Sequence, residues 1–199
     1  VPQRVIACSG GIDSMLLATL AHRHSSAATM VAHAVSPAVP SEATQRVSDW
    51  AEREGWNLFI VESGEFKDEH YLNNPVNRCY YCKTSLYRAL GEISDEMTAG
   101  QTIMSGANVD DLGEYRPGLI AATENAVRHP YIECDVDKAG IRQVARYLNL
   151  PFADIPASPC LASRLYTGTT VTAARLGAVE SGEAMIRALT GIAVVRCRV

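Results

Sequence analysis

The chain has 199 residues, 47% of them hydrophobic, enough for one sizeable core and a short appended segment. The formal net charge is −4 and the pI about 5.7, so a large nucleic-acid-binding surface, which needs a surplus of Lys and Arg, is not expected. No apolar run approaches the roughly 18 residues of a membrane span, and no signal-peptide pattern opens the chain. These features predict a cytoplasmic protein whose six cysteines are reduced.

Short β-branched runs alternate with helical patterns, the order typical of βαβ units on a parallel sheet. Strands are predicted at 4–8, 29–35, 57–62 and 101–106. The first predicted helix runs from the loop after the first strand to about residue 24, and the second lies around 47–51. Further helices are predicted at 79–97, in the segment that ends at about 127, at 135–148 and at 172–189. The expected fold class is therefore α/β, with a five-stranded, mostly parallel sheet flanked by helices.

The remaining segments are less regular. The sequence predicts a polar loop at 63–78, an irregular segment at 151–170 and a strand-like run at 192–199. A natural boundary falls near Ala157, which divides the chain into a domain at 1–157 and the start of a C-terminal segment at 158–199. The sequence begins at Val1 instead of Met and stops inside an apolar run, so we expect both ends to be trimmed.

A glycine turn joins the first strand to the first helix, with the sequence Ser9-Gly10-Gly11-Ile12-Asp13-Ser14. Two glycines allow a sharp turn and a close approach of the backbone to a ligand. The free N–H groups of such a turn and of the helix start favour an anion. The Gly-Lys-Ser/Thr ending of a Walker P-loop is absent. The pattern favours nucleotide binding, and the alternative is a junction in which Ser and Asp only cap the helix.

Three cysteines form a second pattern. Cys79 and Cys82 are a Cys-x-x-Cys pair at a predicted helix start, beside Arg78 and Lys83, and we expect these cations to acidify both thiols. Cys160 lies far downstream in a proline-bearing loop. Two cysteines in a turn and one remote cysteine can hold a [4Fe-4S] cluster with one iron left open. The alternative is a structural Zn²⁺, with Cys134 or one of the five histidines as the fourth ligand.

The glycine turn resembles the pyrophosphate loop (PP-loop) of the ATP pyrophosphatase superfamily, whose members cleave ATP between the α and β phosphates and transfer AMP to an acceptor oxygen. The resemblance implies that the loop holds the departing pyrophosphate and that Asp13 helps to place Mg²⁺. Asp110 and Asp111 follow the fourth strand and are candidates for Mg²⁺ or ribose, or for helix capping. The expected nucleotide-binding residues are Ala7, Ser9, Gly10, Gly11, Asp13, Ser14, Val35, Gly106, Asp110 and Asp111.

The whole chain resembles one family, the ATP-dependent sacrificial sulfur transferases (LarE) of nickel-pincer nucleotide biosynthesis. The motifs that carry the resemblance are the glycine turn, Asn77-Arg78-Cys79-Tyr80-Tyr81-Cys82-Lys83, Ser105-Gly106-Ala107-Asn108-Val109-Asp110-Asp111, Tyr115-Arg116-Pro117-Gly118 and Ser158-Pro159-Cys160-Leu161-Ala162-Ser163-Arg164. The resemblance implies adenylation of a pyridinium dicarboxylate mononucleotide and its conversion to a thiocarboxylate. Cys160 is then the expected catalytic residue, and Cys79, Cys82 and Cys160 the expected ligands of a [4Fe-4S] cluster that carries the sulfide. In another version of this chemistry, Cys160 gives up its own sulfur.

Four arginines are candidates for the phosphate and carboxylates of this substrate, because the guanidinium fork binds planar acids at two points. They are Arg116, Arg164, Arg196 and Arg198. Arg164 follows Cys160 by four positions, and Arg196 and Arg198 alternate along the strand-like run.

Two other functions compete with sulfur transfer to a small nucleotide. A tRNA thiolase of the same superfamily also combines a PP-loop with cysteines, but it needs a basic surface. A nucleotide sensor with a structural Zn²⁺ would need no catalytic cysteine. We expect a small-molecule nucleotide as the substrate, ATP and Mg²⁺ as cofactors, no membrane or nucleic-acid partner, and assembly into a homo-oligomer.

Overall fold

The computed structural model describes residues 4–25, 27–97, 101–113 and 115–199, without the side chains of 93–97. In these residues the centre of the molecule is a four-stranded parallel sheet with the order β3-β2-β1-β4. Its strands are β1 (Arg4–Ala7), β2 (Thr29–Val35), β3 (Asn57–Glu62) and β4 (Thr102–Ser105). Ala7 is level with Ala32 on one side and with Ser105 on the other, so β1, β2 and β4 end at one edge. The α/β class is confirmed.

The prediction of five strands is wrong for the described residues. The only pairing beyond β4 there is a single bridge between Met104 and Arg128. Arg128 N donates to Ile103 O at 2.9 Å, and Arg128 O accepts from Ser105 N at 3.0 Å. Pro130 then starts a short helix, and its missing N–H group prevents a longer ladder.

The described part of the chain contains eight α-helices. They are α1 (Ile12–His24), α2 (Ser41–Glu54), α3 (Glu69–Leu72), α4 (Arg78–Met97), α5 (Pro117–Glu124), α6 (Pro130–Glu133), α7 (Lys138–Tyr147) and α8 (Ala173–Thr190). The predicted cap of the last helix is confirmed, because the Thr172 side chain accepts from Arg175 N at 3.3 Å. None of these helices is long and apolar enough to cross a lipid bilayer.

Three segments differ from their predictions. The predicted loop at 63–78 contains the 3-10 turn Glu65–Lys67 and helix α3, which starts at its cap Asp68. The irregular segment at 151–170 contains the 3-10 turn Leu161–Arg164. The run at 192–199 is not a regular strand, because it lies against the irregular segment instead of a sheet edge: Tyr166 N donates to Val199 O at 2.8 Å, and Val199 N donates to Arg164 O at 3.0 Å.

Buried apolar residues form a core on each face of the sheet, as expected for parallel strands covered by helices. One core packs α1, α2 and α7 around Trp50 and Phe152, and the other packs α4 and α5 onto the strands. A third cluster joins the C-terminal segment to the rest of the molecule. In it Leu161, Leu165 and Leu176 pack with Ala38, which follows β2, and with Tyr71 of α3. We call residues 158–166 the Cys160 loop. The third cluster places this loop near the carboxyl end of β2.

Candidate functional site

The glycine turn of residues 9–14 is closely packed between two other elements. Gly10 has φ +79°, and a Cβ there would lie 2.8 Å from Ala43 O at the start of α2. A Cβ on Gly106, just after β4, would lie 2.8 Å from Ser14 N. Both positions therefore require glycine, since real Cβ atoms do not approach backbone atoms so closely.

The hydroxyl groups of the turn bond to one another. Ser9 N donates to Ser14 Oγ at 3.0 Å, and Ser14 Oγ donates to Gly11 O at 3.1 Å. Among the described residues, no side chain caps the N-terminus of α1. Amide groups at an uncapped helix start can bind an anion, and this role of the glycine turn stays a prediction.

Asp13 is paired with a lysine that the sequence analysis did not select. Lys138 Nζ donates to Asp13 Oδ2, and Lys138 N donates to Asp110 Oδ2 at 3.0 Å. Asp13 Oδ1 is buried and has no hydrogen-bond partner in the described structure. A cation at the first position of α7 opposes the helix dipole, and this unfavourable placement was the signal in the sequence that could have identified Lys138.

The buried free oxygen of Asp13 is the observation that bears on Mg²⁺. A hard cation prefers carboxylate oxygen, and Asp13 Oδ1 lies at the glycine turn without a donor. The residues present therefore fit a Mg²⁺ ion, with Asp13 as its protein ligand.

Asp110 and Asp111 both cap backbone groups. Asp111 Oδ2 accepts from Asn108 N at 3.1 Å, and its other oxygen lies 3.2 Å from Arg116 Nη2. Arg116 thus lies at the carboxyl end of β4, apart from the other three candidate arginines. Ala7 and Val35 close β1 and β2 at the same edge of the sheet. Their contacts with a nucleotide stay predictions, as do those of the glycine turn.

Cys82 and Cys160 pack against the same cluster of buried residues, the one that contains Tyr71 and Leu161. Cys79 lies one helical turn before Cys82 on α4 and is exposed. The expected acidification fails at Cys82: burial raises the pKa of its thiol to about 12, although Lys83 opposes the shift. Burial outweighs the nearby cation because a thiolate loses its hydration there.

Lys83 is the cation that the three thiols share. The pKa of its ammonium group is raised, first by Tyr87 and then, against the effect of burial, by Cys82, Cys79 and Cys160. Its Nζ lies 5.9 Å from the centre of the Tyr87 ring. Any thiolate that forms in this region therefore has a counter-ion.

Three thiols are the donor set of a cluster with one open iron, so the residues fit a [4Fe-4S] cluster in chemistry. In the described residues, however, no three His, Cys, Asp or Glu side chains form a group that could hold a metal ion. Cys134, the possible fourth ligand of Zn²⁺, is exposed after α6. Both metal sites stay predictions.

Arg164, Arg196 and Arg198 line one small cavity of about 130 Å³, together with Pro159 and Ser163. Arg196 and Arg198 are exposed, so their guanidinium groups can reach a ligand. The structure brings these three candidate arginines together beside Cys160.

Arg164 differs from the other two because it is only 5% exposed. Its Nε and Nη2 donate to the Glu183 carboxylate at 2.8 and 3.1 Å, and its Nη1 donates to Pro159 O and Cys160 O at 2.6 and 3.1 Å. Burial opposes the ionised form of Glu183, but the hydrogen bonds and charge of Arg164 still lower its pKa. Arg164 therefore stabilises the backbone of the Cys160 loop. Its contact with a ligand stays a prediction.

The fold and this site define an α/β protein with a glycine turn and a cysteine-bearing loop near one edge of a parallel sheet. No family model matches the chain. It is 36% identical over 195 residues to an uncharacterized protein of Synechocystis, covering 98% of this chain and 72% of that one. It is 32% identical over 200 residues to the pyridinium-3,5-bisthiocarboxylic acid mononucleotide synthase of Lactiplantibacillus plantarum, covering 98% and 71%. An uncharacterized protein of Methanocaldococcus jannaschii is 27% identical over 183 residues, with 92% and 69% covered.

The chain belongs to the family of the Lactiplantibacillus synthase, because the identity of 32% extends over 98% of its length. The family expected from the motifs is thereby found by direct comparison.

Proposed function

We propose that this protein is an ATP-dependent sulfurtransferase that adenylates a carboxylate of a pyridinium dicarboxylate mononucleotide and converts it to a thiocarboxylate, with release of AMP and pyrophosphate. The observation that carries the proposal is the similarity to the Lactiplantibacillus synthase, whose name describes a bisthiocarboxylic acid mononucleotide. The placement of the Cys160 loop supports it, because Leu161 N donates to Ala38 O at 2.8 Å and so ties the loop to the segment after β2.

The glycine turn would bind the β and γ phosphates of ATP through the amide groups at the start of α1. Lys138 would supply a positive charge beside them, because its ammonium group already lies at Asp13. A Mg²⁺ ion held by Asp13 would neutralise phosphate charge. The packing of Gly10 and Gly106 fixes the turn before ATP arrives, so little ordering is needed on binding.

The substrate phosphate would enter the cavity lined by Arg196 and Arg198, where two exposed guanidinium groups can bind it at two points each. Arg164 would keep the backbone of Cys160 in place through its bonds to Pro159 O and Cys160 O. The substrate carboxylate would then lie between this cavity and the nucleotide edge of the sheet.

In the sulfur-transfer step a C–S bond forms at the activated carboxyl carbon, and the bond from that carbon to the AMP oxygen breaks. The incoming sulfur must be a thiolate or a sulfide, and Lys83 would stabilise its negative charge. Cys79, Cys82 and Cys160 would hold a [4Fe-4S] cluster, which when bound supplies an open iron for a transferable sulfide. We further propose that the protein acts as a homo-oligomer in the cytoplasm, which sedimentation and cell fractionation would test.

The test is anaerobic turnover with ATP, Mg²⁺ and the pyridinium dicarboxylate mononucleotide. We expect AMP, pyrophosphate and a product heavier by the exchange of one oxygen for sulfur. Cys160→Ala should abolish the thiolated product but still release pyrophosphate, whereas the exposed control Cys134→Ala should behave as wild type. Thiolated product from Cys160→Ala, or no pyrophosphate from wild type, would contradict the proposal.

The mass of the intact protein after turnover identifies the sulfur donor. Loss of the mass of H₂S from the peptide that contains Cys160 would show that the cysteine gives up its own sulfur. An unchanged mass with product formed would show that Cys160 keeps its sulfur, the result expected if the sulfide comes from a cluster.

A further inference from the structure

The connection between α3 and α4 contains a buried asparagine in an unusual backbone conformation. Asn74 is 1% exposed and has φ +51°, a region that asparagine adopts more readily than most residues. Its side-chain Nδ2 donates to Tyr166 O at 2.8 Å, and its main-chain oxygen accepts from Gly168 N at 2.9 Å. Asn74 therefore binds the segment after Cys160 through both its side chain and its backbone.

The first residue of α4 adds a second link to the same segment. Arg78 Nη1 donates to Asn74 Oδ1 and also to Ala162 O at 3.1 Å, across 84 positions of sequence. A cation in the first turn opposes the helix dipole, so helix stability does not explain an arginine at this position. Its contacts do explain it, because they join the helix start to the backbone two residues beyond Cys160.

These two residues connect the two chain segments that carry the cysteines of the proposed site. Arg78 directly precedes Cys79, and Cys82 follows one turn later on the same helix. Ala162 and Tyr166, the two carbonyl partners, lie on the loop that begins at Cys160. The chain is continuous within each half of the site, but the relative position of the halves depends on contacts such as these.

We propose that Asn74 and Arg78 form a clasp that holds the Cys160 loop against the first turns of α4 and so sets the separation of Cys160 from Cys79 and Cys82. They are positioning residues for the sulfur-transfer step, and this role rests on the proposed function. In the described residues the hydrogen bonds of the clasp between its two segments go to Ala162, Tyr166 and Gly168 and not to the glycine turn, so we expect it to act on the thiols and not on ATP.

The separation of the thiols can be measured without turnover. The full-length, reduced protein is treated with dibromobimane, a short reagent that joins two nearby thiols, and the peptide pair containing Cys82 and Cys160 is quantified by mass spectrometry. The variants are Arg78→Met, which removes both bonds of the guanidinium group, and Asn74→Gly, which keeps the positive φ but removes the side-chain amide. Arg78→Lys tests rescue by a cation. The matched control is Arg146→Met, since Arg146 pairs with Asp154 at the surface of α7.

We expect Arg78→Met and Asn74→Gly to slow the Cys82–Cys160 cross-link about tenfold, because small displacements of reacting groups have large effects on rate. Their affinity for ATP should stay within about twofold of wild type. Arg78→Lys should recover part of the cross-linking rate. The control Arg146→Met should cross-link at the wild-type rate.

Wild-type cross-linking in a folded Arg78→Met or Asn74→Gly protein would overturn the proposal. So would a loss of ATP affinity in proportion to the loss of cross-linking, since that would reflect general destabilisation. The result does not depend on sulfur transfer: if wild type makes no thiolated product but cross-linking depends on the clasp, only the proposed function fails. If wild type makes thiolated product but the cross-linking rate is the same in the clasp variants as in wild type, only the proposal of the clasp is contradicted.

Discussion

The glycine turn and the cysteine region are built in opposite ways. The turn is made of six consecutive residues, and within it Ser14 Oγ accepts from Ser9 N and donates to Gly11 O. The cysteine region is assembled from α4 and a loop about eighty positions later, through side chains that reach backbone oxygen atoms. A turn made of consecutive residues depends on its glycines, and a larger side chain there causes a steric clash. A site assembled from distant segments depends on charged side chains, and it is disrupted when one partner of a contact is removed.

The largest effect is expected at the buried ion pair of the cysteine region. Arg164→Met should lower the free energy of unfolding by about 3–5 kcal/mol, because it leaves the Glu183 carboxylate, 3% exposed, without its main partner. Urea denaturation of the purified variant measures this loss.

The double variant Arg164→Met with Glu183→Leu is the control for this ion pair. It should regain most of the stability, since no unpaired charge is left in the interior. If the single variant lost less than about 1 kcal/mol, the pair would behave like a surface salt bridge and the contrast between the two regions would weaken.

The next effect is expected at the glycine turn. Gly10→Ala should cost about 2–4 kcal/mol and abolish ATP binding, because its Cβ would clash with Ala43 O and its φ is positive. Gly64→Ala is the matched control: φ there is +77°, but nothing lies within 4 Å of the new Cβ. We expect it to cost about 1 kcal/mol, from strain alone. Thermal unfolding and ATP titration distinguish the two, and equal losses would show that steric packing is not what makes Gly10 necessary.

A smaller effect on stability, but a clear one on ATP binding, is expected at Lys138. Lys138→Met should weaken ATP binding about tenfold by removing a positive charge beside the phosphates, while it frees Asp13. The exposed Lys67→Met is the control and should leave the affinity unchanged. Calorimetric titration with ATP and Mg²⁺ gives both numbers. Tighter binding to Lys138→Met would mean that the Asp13–Lys138 pair competes with the nucleotide.

The smallest effect is expected on the pH dependence of stability. It arises from His33, which contacts the residue that precedes the glycine turn. Its Nδ1 donates to Cys8 O at 2.8 Å, and burial lowers the pKa of the imidazole. The unfolded chain then binds more protons than the folded one below about pH 6.5, so stability falls as the pH drops through that value. The slope cannot exceed about 1.4 kcal/mol per pH unit for one proton.

His33→Gln isolates this contribution, because burial also lowers the pKa of His129. Urea denaturation between about pH 5 and 7 should show a shallower slope for His33→Gln than for wild type. Equal slopes for wild type and His33→Gln would contradict the assignment to His33.

The contrast between the regions also explains what the sequence could predict. Strands β2 and β3 were predicted with the bounds that the structure has, and the glycine turn was found between β1 and α1, because these features depend on neighbouring residues. The closeness of Arg164 to Cys160 in sequence and the alternation of Arg196 and Arg198 made these residues candidates, but the cavity that they share follows only from the structure.

Features that depend on distant contacts were missed. Lys138 is far from Asp13 in sequence, and its pairing follows only from the position of α7 beside α1. The burial of Arg164 with Glu183 requires the packing of α8, and the high pKa of Cys82 requires the third core cluster. No local pattern encodes these distances, since they depend on how α7, α8 and the segment after Cys160 pack against distant parts of the chain.

The bond from Leu161 N to Ala38 O links the chain after β2 directly to the residue that follows Cys160. Ala38 lies three residues after Val35, the last residue of β2, and Leu161 directly follows Cys160. Any displacement of the β2–α2 connection by a bound nucleotide would therefore move the backbone beside Cys160. Under the proposed function, the rate at which an alkylating reagent modifies Cys160 should therefore change when ATP is added.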